Sequence, residues 1–504
     1  MVKPSNAPIS PPPPYRTNPH LYEIHTWAWL EELSAREDRL VTLASVPDQE
    51  WDRLQSLGFD FVWLMGIWKR SAAGRTIART SPCYFPSYDE ALPGWTMKDV
   101  VGSPYSIQDY IPDPRIGGWK DVDAAREKLH RRGMKLILDF VPNHTGLDHP
   151  WVSSHPEYYI QGSLDQFRRD PSAFFLAERD SSATFIARGR DPHFPAWPDT
   201  AQLNYFNPAT RDAMLCVLRA IAGHADGARC DMAMLLLHAV FVKTWGPLLR
   251  GFAAPGDEFW PAAVAALPGF VWIAEVYWDL EWRLQQLGLT FTYDKRLYDR
   301  LRAAPPQDVR DCLKADAASQ SRCVRFLENH DEPRSAAVFE SDKLGAAATL
   351  VATLPGMRFY YHGQLEGRKL HLPIQLSRAA EEPPNSEIYH LYEKLLRITC
   401  DNAFHAGAWL LLEPRAAGDT SFQKLIAYQW RCGGVMKIVA VNLSSASARG
   451  NFILSGAIDP SREYGFHDQL HDKSYEWQGQ DLIQSGLFVR LDAFQGHIFE
   501  VAME

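Results

Sequence analysis

No run of apolar residues in this chain is long enough to span a bilayer, and residues 1–20, MVKPSNAPISPPPPYRTNPH, hold no apolar signal core. Both absences point to a cytoplasmic protein with no membrane partner. Basic stripes are missing too: the net charge is −9, and no Lys/Arg stripe interleaves with aromatic residues, which argues against nucleic acid as a partner. Cysteine is sparse, odd in number at seven, and without paired spacing; Cys216, Cys230 and Cys323 lie inside apolar runs. They are expected to be reduced core thiols rather than a disulfide framework.

What is present is globular in texture. At 504 residues the chain is too long for one core, so two or three domains are expected, and 46% hydrophobic with 22% charged residues fits none of the disordered, collagenous or membrane classes. The 17 Trp and 19 Tyr are chiefly core material, although loop tryptophans also make flat apolar platforms suited to sugar C–H faces. Residues 1–20, with a four-proline run, read as an extended polyproline arm.

From Leu21, strand-like runs alternate with helix-like segments: LYEIHTW (21–27), FDFVWLM (59–65), MKLILDFV (134–141), ADGARCDM (225–232), FVWIAEVY (270–277), LTFTY (289–293), CVRFLE (323–328) and MRFYY (357–361). Between the second and third lies WKDVDAAREKLHRRG (119–133), whose apolar residues recur at helical spacing before a glycine stop. Eight alternations predict an α/β protein built on a (β/α)8 barrel, catalytic in residues 21–145 and 204–400. Residues 146–203, rich in Pro, Arg and aromatics, are too long for a loop and predict a small inserted subdomain after the third strand. From 401 to 504 the texture changes to short alternating runs split by Gly and Ser, predicting a C-terminal antiparallel β-sandwich domain.

The chemistry gathers where such barrels keep it, at the C-terminal ends of the strands. The third strand ends in Asp139, followed by Asn143 and His144; the fourth carries Arg229 and Asp231; the fifth Glu275; the seventh runs through RCVRFLENHDEPR to His330 and Asp331. Any one of these is as well explained as a helix cap or a satisfied structural group. Together, the three carboxylates of Asp231, Glu275 and Asp331, two imidazoles and a guanidinium on one rim, with no thiol or serine constellation, suit glycoside chemistry, in which one carboxylate attacks and another protonates the leaving oxygen. Alternation puts Arg229 and Asp231 on one side of their strand, so the guanidinium should keep Asp231 anionic as nucleophile. Glu275, ending FVWIA beside Tyr277 and Trp278, sits where ionisation is disfavoured, as a general acid requires. A metal centre built from Asp139, His144, His330 and Asp331 is the competing chemistry. Barrel metallohydrolases usually offer a His-x-His pair after the first strand, and YEIHTW supplies only His25.

These motifs resemble those of the α-amylase family of glycoside hydrolases, family 13. DFVPNH (139–144) is similar to its Asp-x-x-x-Asn-His stretch, GARCD (227–231) to Gly-x-Arg-x-Asp, AEVYW to its Glu-bearing fifth strand, and ENHDE to its Asn-His-Asp stretch, in order and with family-like spacing. GSPYSIQDY and DTAQLNYFNP resemble two secondary motifs, and the likeness runs over residues 21–504. It implies Asp231 as nucleophile, Glu275 as acid/base and Asp331 as the third carboxylate. It further implies that His144 and His330 hold sugar hydroxyls, that Tyr105 stacks beneath the sugar, that Arg229 orients Asp231, and that Asp139 supports Arg229. The implied activity is retaining hydrolysis of α-linked gluco-oligosaccharides. The alternatives are transglucosylation or sugar isomerisation at the same site, and a non-catalytic sugar-binding or scaffold relative.

Departures bear on substrate. Exo-acting relatives often place Asp after the Tyr of the GSPYSIQDY-like motif, where this chain has Ser106, and after Asp231 the chain reads Met234 and Leu235 where many amylases carry Lys and His. The latter is expected to make the acceptor side more apolar and to favour short acceptors or transfer. The loops near Trp68 and Trp95 and the 146–203 insertion are expected to set pocket depth, with HLPIQLSRAAEEPP (371–384) a further rim loop. No cofactor is expected and no catalytic metal is assigned. Calcium is common in the family and Asn143 matches one usual ligand, but the acidic calcium loop of some members is absent from EELSAREDRL. The partner the resemblance implies is an α-glucan or oligosaccharide substrate; nothing in the sequence sets an oligomeric state.

Overall fold

The computed structural model describes residues 15–179, 182–249 and 251–503. The arm expected over 1–20 lies largely outside them. Its described end is not free: Tyr15 packs edge-on against Phe61 at 5.1 Å, and Arg16 donates from Nε to Asp60 at 2.7 Å, so this segment covers the floor of the barrel that follows.

The eight strand runs each form a strand, numbered here β1 (His20–His25), β2 (Phe61–Met65), β3 (Lys135–Phe140), β4 (Gly227–Cys230), β5 (Val271–Ala274), β6 (Phe291–Tyr293), β7 (Cys323–Arg325) and β8 (Met357–Tyr361). They close as a parallel barrel in sequence order, with β8 returning to β1. The runs are near-continuously apolar because both faces are covered, by helices outside and by side chains such as Trp63, Tyr293 and Phe359 inside. Arg325, the exception in its run, is buried on its strand and satisfied by Asp294 at 3.2 Å, Gln320 and the Pro355 carbonyl. The segment 119–133 forms the helix Trp119–His130, burying Val122, Ala125 and Leu129.

Beyond β3 the chain leaves the barrel through the short strand His144–Gly146 and returns antiparallel to it as Thr200–Gln202. The excursion carries a three-stranded antiparallel sheet of Gln161–Gly162, Phe174–Arg179 and Ser182–Ala187. After the helix Ser386–Thr399 come a six-stranded and a three-stranded antiparallel sheet. Leu425, Ile438, Phe452, Leu487 and Phe499 fill the core they share. The larger sheet docks on the barrel through Trp430, whose Nε1 donates to the Thr353 carbonyl at 2.9 Å, and Tyr428, hydrogen-bonded to the Thr353 hydroxyl at 2.6 Å.

No helix among the described residues is long and apolar enough to cross a membrane. All seven cysteines are free, but the expectation of core thiols holds only in part. Cys230 is buried in β4 and Cys323 half-buried, whereas Cys216 is exposed with Cys83 and Cys400. Its apolar run is an amphipathic helix, Pro208–His224, and periodicity leaves that position on the solvent face.

Gly227 shows why the fourth strand begins as it does. A Cβ there would lie 2.5 Å from the Val271 carbonyl and 2.6 Å from Ile137 Cδ1, its neighbours on β5 and β3. The substitution Gly227→Ala is therefore expected to destabilise the protein by about 1–3 kcal/mol through overpacking, read as a lowered thermal unfolding midpoint. An unchanged midpoint would show that the strands have slack at this point.

Candidate active site

Four strands deliver side chains to one pit at the C-terminal end of the barrel, and Arg229 lies at its centre. Its Nη1 donates to Asp231 Oδ1 at 2.7 Å, and its Nη2 lies 2.8 Å from Glu275 Oε2 and 4.0 Å from Asp331 Oδ2. The guanidinium is fully buried, with the rings of Trp63 and Tyr105 each 5.2 Å away and that of Tyr293 at 5.8 Å. The three carboxylates therefore meet on one cation.

Backbone geometry sets each of them. The Asp231 N–H donates to the Phe140 carbonyl, continuing the β3–β4 ladder past the last strand residue, and the Glu275 N–H does the same to Cys230. Met232 then turns left-handed, φ 42°, and its N–H reaches Glu275 Oε2 at 2.7 Å, while the Tyr277 hydroxyl donates to Oε1 at 2.7 Å. A left-handed non-glycine residue costs strain that the surrounding contacts must offset. On the seventh strand, the Asn329 side-chain oxygen accepts the N–H groups of Asp331 and Glu332, both at 2.9 Å, folding the chain so that Asp331 faces the pit. Glu328 instead turns away to Arg334 at 2.8 Å and the Ser335 N–H at 2.6 Å.

Protonation follows from these surroundings. Burial pushes Glu275 up to about 7, reinforced by the charges of Asp231 and Asp331 and opposed by Arg229. Asp331 has a side chain 43% exposed at the mouth; burial acts upward on it as well, but His330 and Arg229 hold it at about 2. The expectation that Arg229 sets Asp231 below the ordinary range needs correction, because burial outweighs the guanidinium and raises this carboxyl. His330 lies between two acids, with Nδ1 2.6 Å from Glu23 Oε1 and Nε2 3.1 Å from Asp331 Oδ2. Burial disfavours its charge, yet Asp331 and Glu23 overcome that and raise it well above the imidazole range.

The other predicted residues divide. Tyr105 closes one wall, its hydroxyl 2.7 Å from His330 Nε2 and its ring stacked on the imidazole at 5.3 Å. His144 is buried, neutral with burial lowering it to about 4, and lies against Trp197 at 5.2 Å. Asp139 is a register partner of Arg229 but does not hydrogen-bond to it. Its Oδ2 accepts the Gly66 N–H at 2.7 Å, burial raises it to about 7, and Arg229 acts on it through charge alone.

Met234 and Leu235 are buried in the short 3-10 turn Ala233–Leu236 that follows Asp231. The aromatic groups on the Glu275 side are Tyr277 and Trp278, the latter met edge-on by His193 of the insertion at 4.8 Å. Trp68 is wholly buried, donating from Nε1 to the Asp139 carbonyl at 2.8 Å. Residues 371–384 do reach the rim, where His371 Nε2 lies 2.9 Å from the His330 carbonyl. Asn143 pairs amide to amide with Gln202: its side-chain oxygen accepts Gln202 Nε2 at 3.0 Å, and its amide reaches Gln202 Oε1 at 3.2 Å.

Sequence reasoning missed Glu23, Trp63 and Tyr293. Glu23 carried a signal, being the one carboxylate inside the LYEIHTW run, buried and inward-facing. Trp63 and Tyr293 carried none, since aromatic residues in barrel strands are ordinary core.

Comparison with known proteins agrees with the motifs. Residues 48–240 match the model of the alpha amylase catalytic domain, a span that holds Arg229 and Asp231 and ends before Glu275. Alpha-amylase 3 of Dictyoglomus thermophilum is 25% identical over 287 residues, 53% of this chain and 54% of that one. The trehalose synthase of a Pimelobacter species is 31% identical over 267 residues, 47% of each. The chain thus spans about half the length of these curated relatives. In fold it is similar to a noncanonic maltogenic alpha-amylase from Thermotoga neapolitana, with TM-score 0.69 and 20% identity over 97% of this chain and 99% of that one.

Removing Glu23 would leave His330 with a buried face unpaired. Glu23→Ala is expected to cost about 3–5 kcal/mol of stability, read by urea or thermal unfolding. A loss within experimental error would mean that Asp331 alone satisfies the imidazole.

Proposed function

We propose that this chain, whose residues 48–240 match the alpha amylase catalytic domain and whose Asp231, Glu275 and Asp331 share one pit, is a retaining α-glycoside hydrolase acting on α-linked gluco-oligosaccharides. The observation that carries this reading is the meeting of two buried acids on one guanidinium: Glu275, which burial raises to about 7, and Asp231, which Arg229 hydrogen-bonds through Oδ1 and leaves with Oδ2 free of that bond. Bridging by one guanidinium favours the separation of about 5 Å typical of retaining enzymes. In the first step Asp231 Oδ2 attacks the anomeric carbon as the glycosidic C–O bond breaks, and Glu275 gives its proton to the departing oxygen. A glycosyl ester on Asp231 results. In the second step Glu275, now a carboxylate, takes a proton from water, which attacks the anomeric carbon and frees Asp231.

Charge developing on the sugar ring in both steps would be met by Asp331, anionic at any pH above about 2. Tyr105 and His330 offer a stacked wall and a cation beside it, placed to receive a sugar face and its hydroxyls. The same ester can pass to a sugar acceptor instead of water. Transfer or isomerisation is therefore the second reading, favoured by the likeness to a trehalose synthase and by the aromatic rim of Tyr277 and Trp278, which suits an acceptor sugar.

Because the acid must be protonated, kcat/KM is expected to fall as pH rises through about 7, the alkaline limb belonging to Glu275. A limb unmoved in a Glu275→Gln variant, or a rate flat across that range, would remove Glu275 from the role. With maltose, maltotriose, isomaltose, trehalose, sucrose and soluble starch, the native protein is expected to release glucose or short oligomers. Glu275→Gln should lose about 10²–10⁴-fold in rate, and Asp231→Asn should release nothing. New or longer sugars without matching free glucose would establish transfer. No turnover, together with no adduct on Asp231 from a fluorinated glucoside, would leave the scaffold reading standing.

A further inference from the structure

Far along the chain from the catalytic motifs, the C-terminal sheet gathers a second set of chemically capable side chains. Asp468 ends the strand Glu463–Asp468, His471 follows in the turn toward Lys473–Gln478, and His497 lies on the neighbouring strand Gly496–Ala502. Asp468 is wholly buried and its carboxylate is aimed. Oδ1 accepts the Leu470 N–H at 3.1 Å and the Ile498 N–H at 3.2 Å, which leaves Oδ2 directed at both imidazoles. His471 Nδ1 is 2.5 Å from Oδ2, and His497 Nδ1 also lies within hydrogen-bond distance of it. His497 is oriented in turn by stacking on Phe499 at 5.1 Å.

We propose that Asp468, His471 and His497 bind a borderline divalent transition-metal ion, zinc above all. One carboxylate oxygen and two imidazole nitrogens lie within 4.8 Å of one another, and once the rings swing apart from hydrogen-bond contact they offer three ligands to a four-coordinate ion. Two nitrogens among three ligands select zinc-like ions over calcium or magnesium, which require oxygen shells. Without an ion, both imidazoles must place an N–H on the same carboxylate oxygen. With one, each neutral ring carries its proton on Nε2 and offers the Nδ1 lone pair, so the cation replaces a crowded pair of donors. The side chain of His471 is 37% exposed, which opens the fourth position to water.

The backbone hydrogen bonds to Oδ1 and the aromatic packing of His497 are the outer contacts that hold metal ligands in line. The location gives the ion a structural part. Within this turn the Leu470 carbonyl accepts Lys394 Nζ at 2.6 Å, and Lys394 belongs to the helix Ser386–Thr399, which precedes the terminal sheets. A metal at Asp468 would therefore staple two strands and a turn at the place where the C-terminal sheet is tied to the barrel.

The full chain, stripped with EDTA and dialysed, is titrated calorimetrically with zinc chloride. One saturable equivalent is expected, accompanied by a rise in thermal unfolding midpoint that calcium and magnesium do not produce. His471→Ala, an exposed position whose loss should leave the fold intact by circular dichroism, is expected to bind at least about a hundredfold more weakly, and His497→Gln likewise. Cobalt in place of zinc should give the intense visible bands of a tetrahedral ion in the native chain and not in His471→Ala. Absence of a saturable equivalent overturns the proposal. So does an equivalent that both histidine variants keep at native affinity, since the ion would then sit elsewhere.

Discussion

The site depends on one buried cation. Arg229 is sealed from water and survives there because three carboxylates and three aromatic rings surround it. A desolvated guanidinium without such partners would cost several kcal/mol, so the rim can be assembled only when β4, β5 and β7 stand in register. Arg229 pairs across the sheet with Asp139 on one side and Ile273 on the other. A slip of one residue would turn the guanidinium outward and leave the acids of the pit uncompensated. The same close fit explains Gly227 at the strand's start, where neighbouring backbone and side chain leave no room for a Cβ.

A second cation arises from the first strand. Glu23 reaches His330 from the side opposite Asp331, and the imidazole between them becomes positive despite its burial. Neighbouring carboxyls in one pit thereby acquire different proton affinities. Asp331, beside the imidazole and open to the mouth, is strongly acidic, whereas Glu275, walled by Tyr277 and the Met232 turn and facing two other acids, keeps its proton to about 7. Position relative to two cations, more than residue type, separates the roles proposed for them.

The remaining architecture holds this arrangement. The insertion is clasped at its base by the paired amides of Asn143 and Gln202, and Ser106, next to Tyr105, hydrogen-bonds the Asp199 carbonyl at 2.7 Å, so the wall of the pit is tied to the insertion. Trp430 and Tyr428 on one side of the terminal sheet and Lys394 at its turn fix the C-terminal sheets to the barrel.

Sequence alone determined the eight strands, their closure as a barrel and the placing of Asp231, Glu275 and Asp331 at strand ends. Buried parallel strands write themselves as apolar runs, and a polar group that closes such a run stands out against it. It also carried the likeness to the α-amylase family, since the motifs are local and contiguous. What tertiary structure decided lies between residues far apart in the chain. Glu23 finding His330, Asp139 bonding Gly66 rather than Arg229, Met234 and Leu235 buried in their turn, and Asp231 raised by burial in spite of its guanidinium are all effects of three-dimensional neighbours. Desolvation and hydrogen-bond partnership are set by what closes around a group, and no spacing within a strand records that.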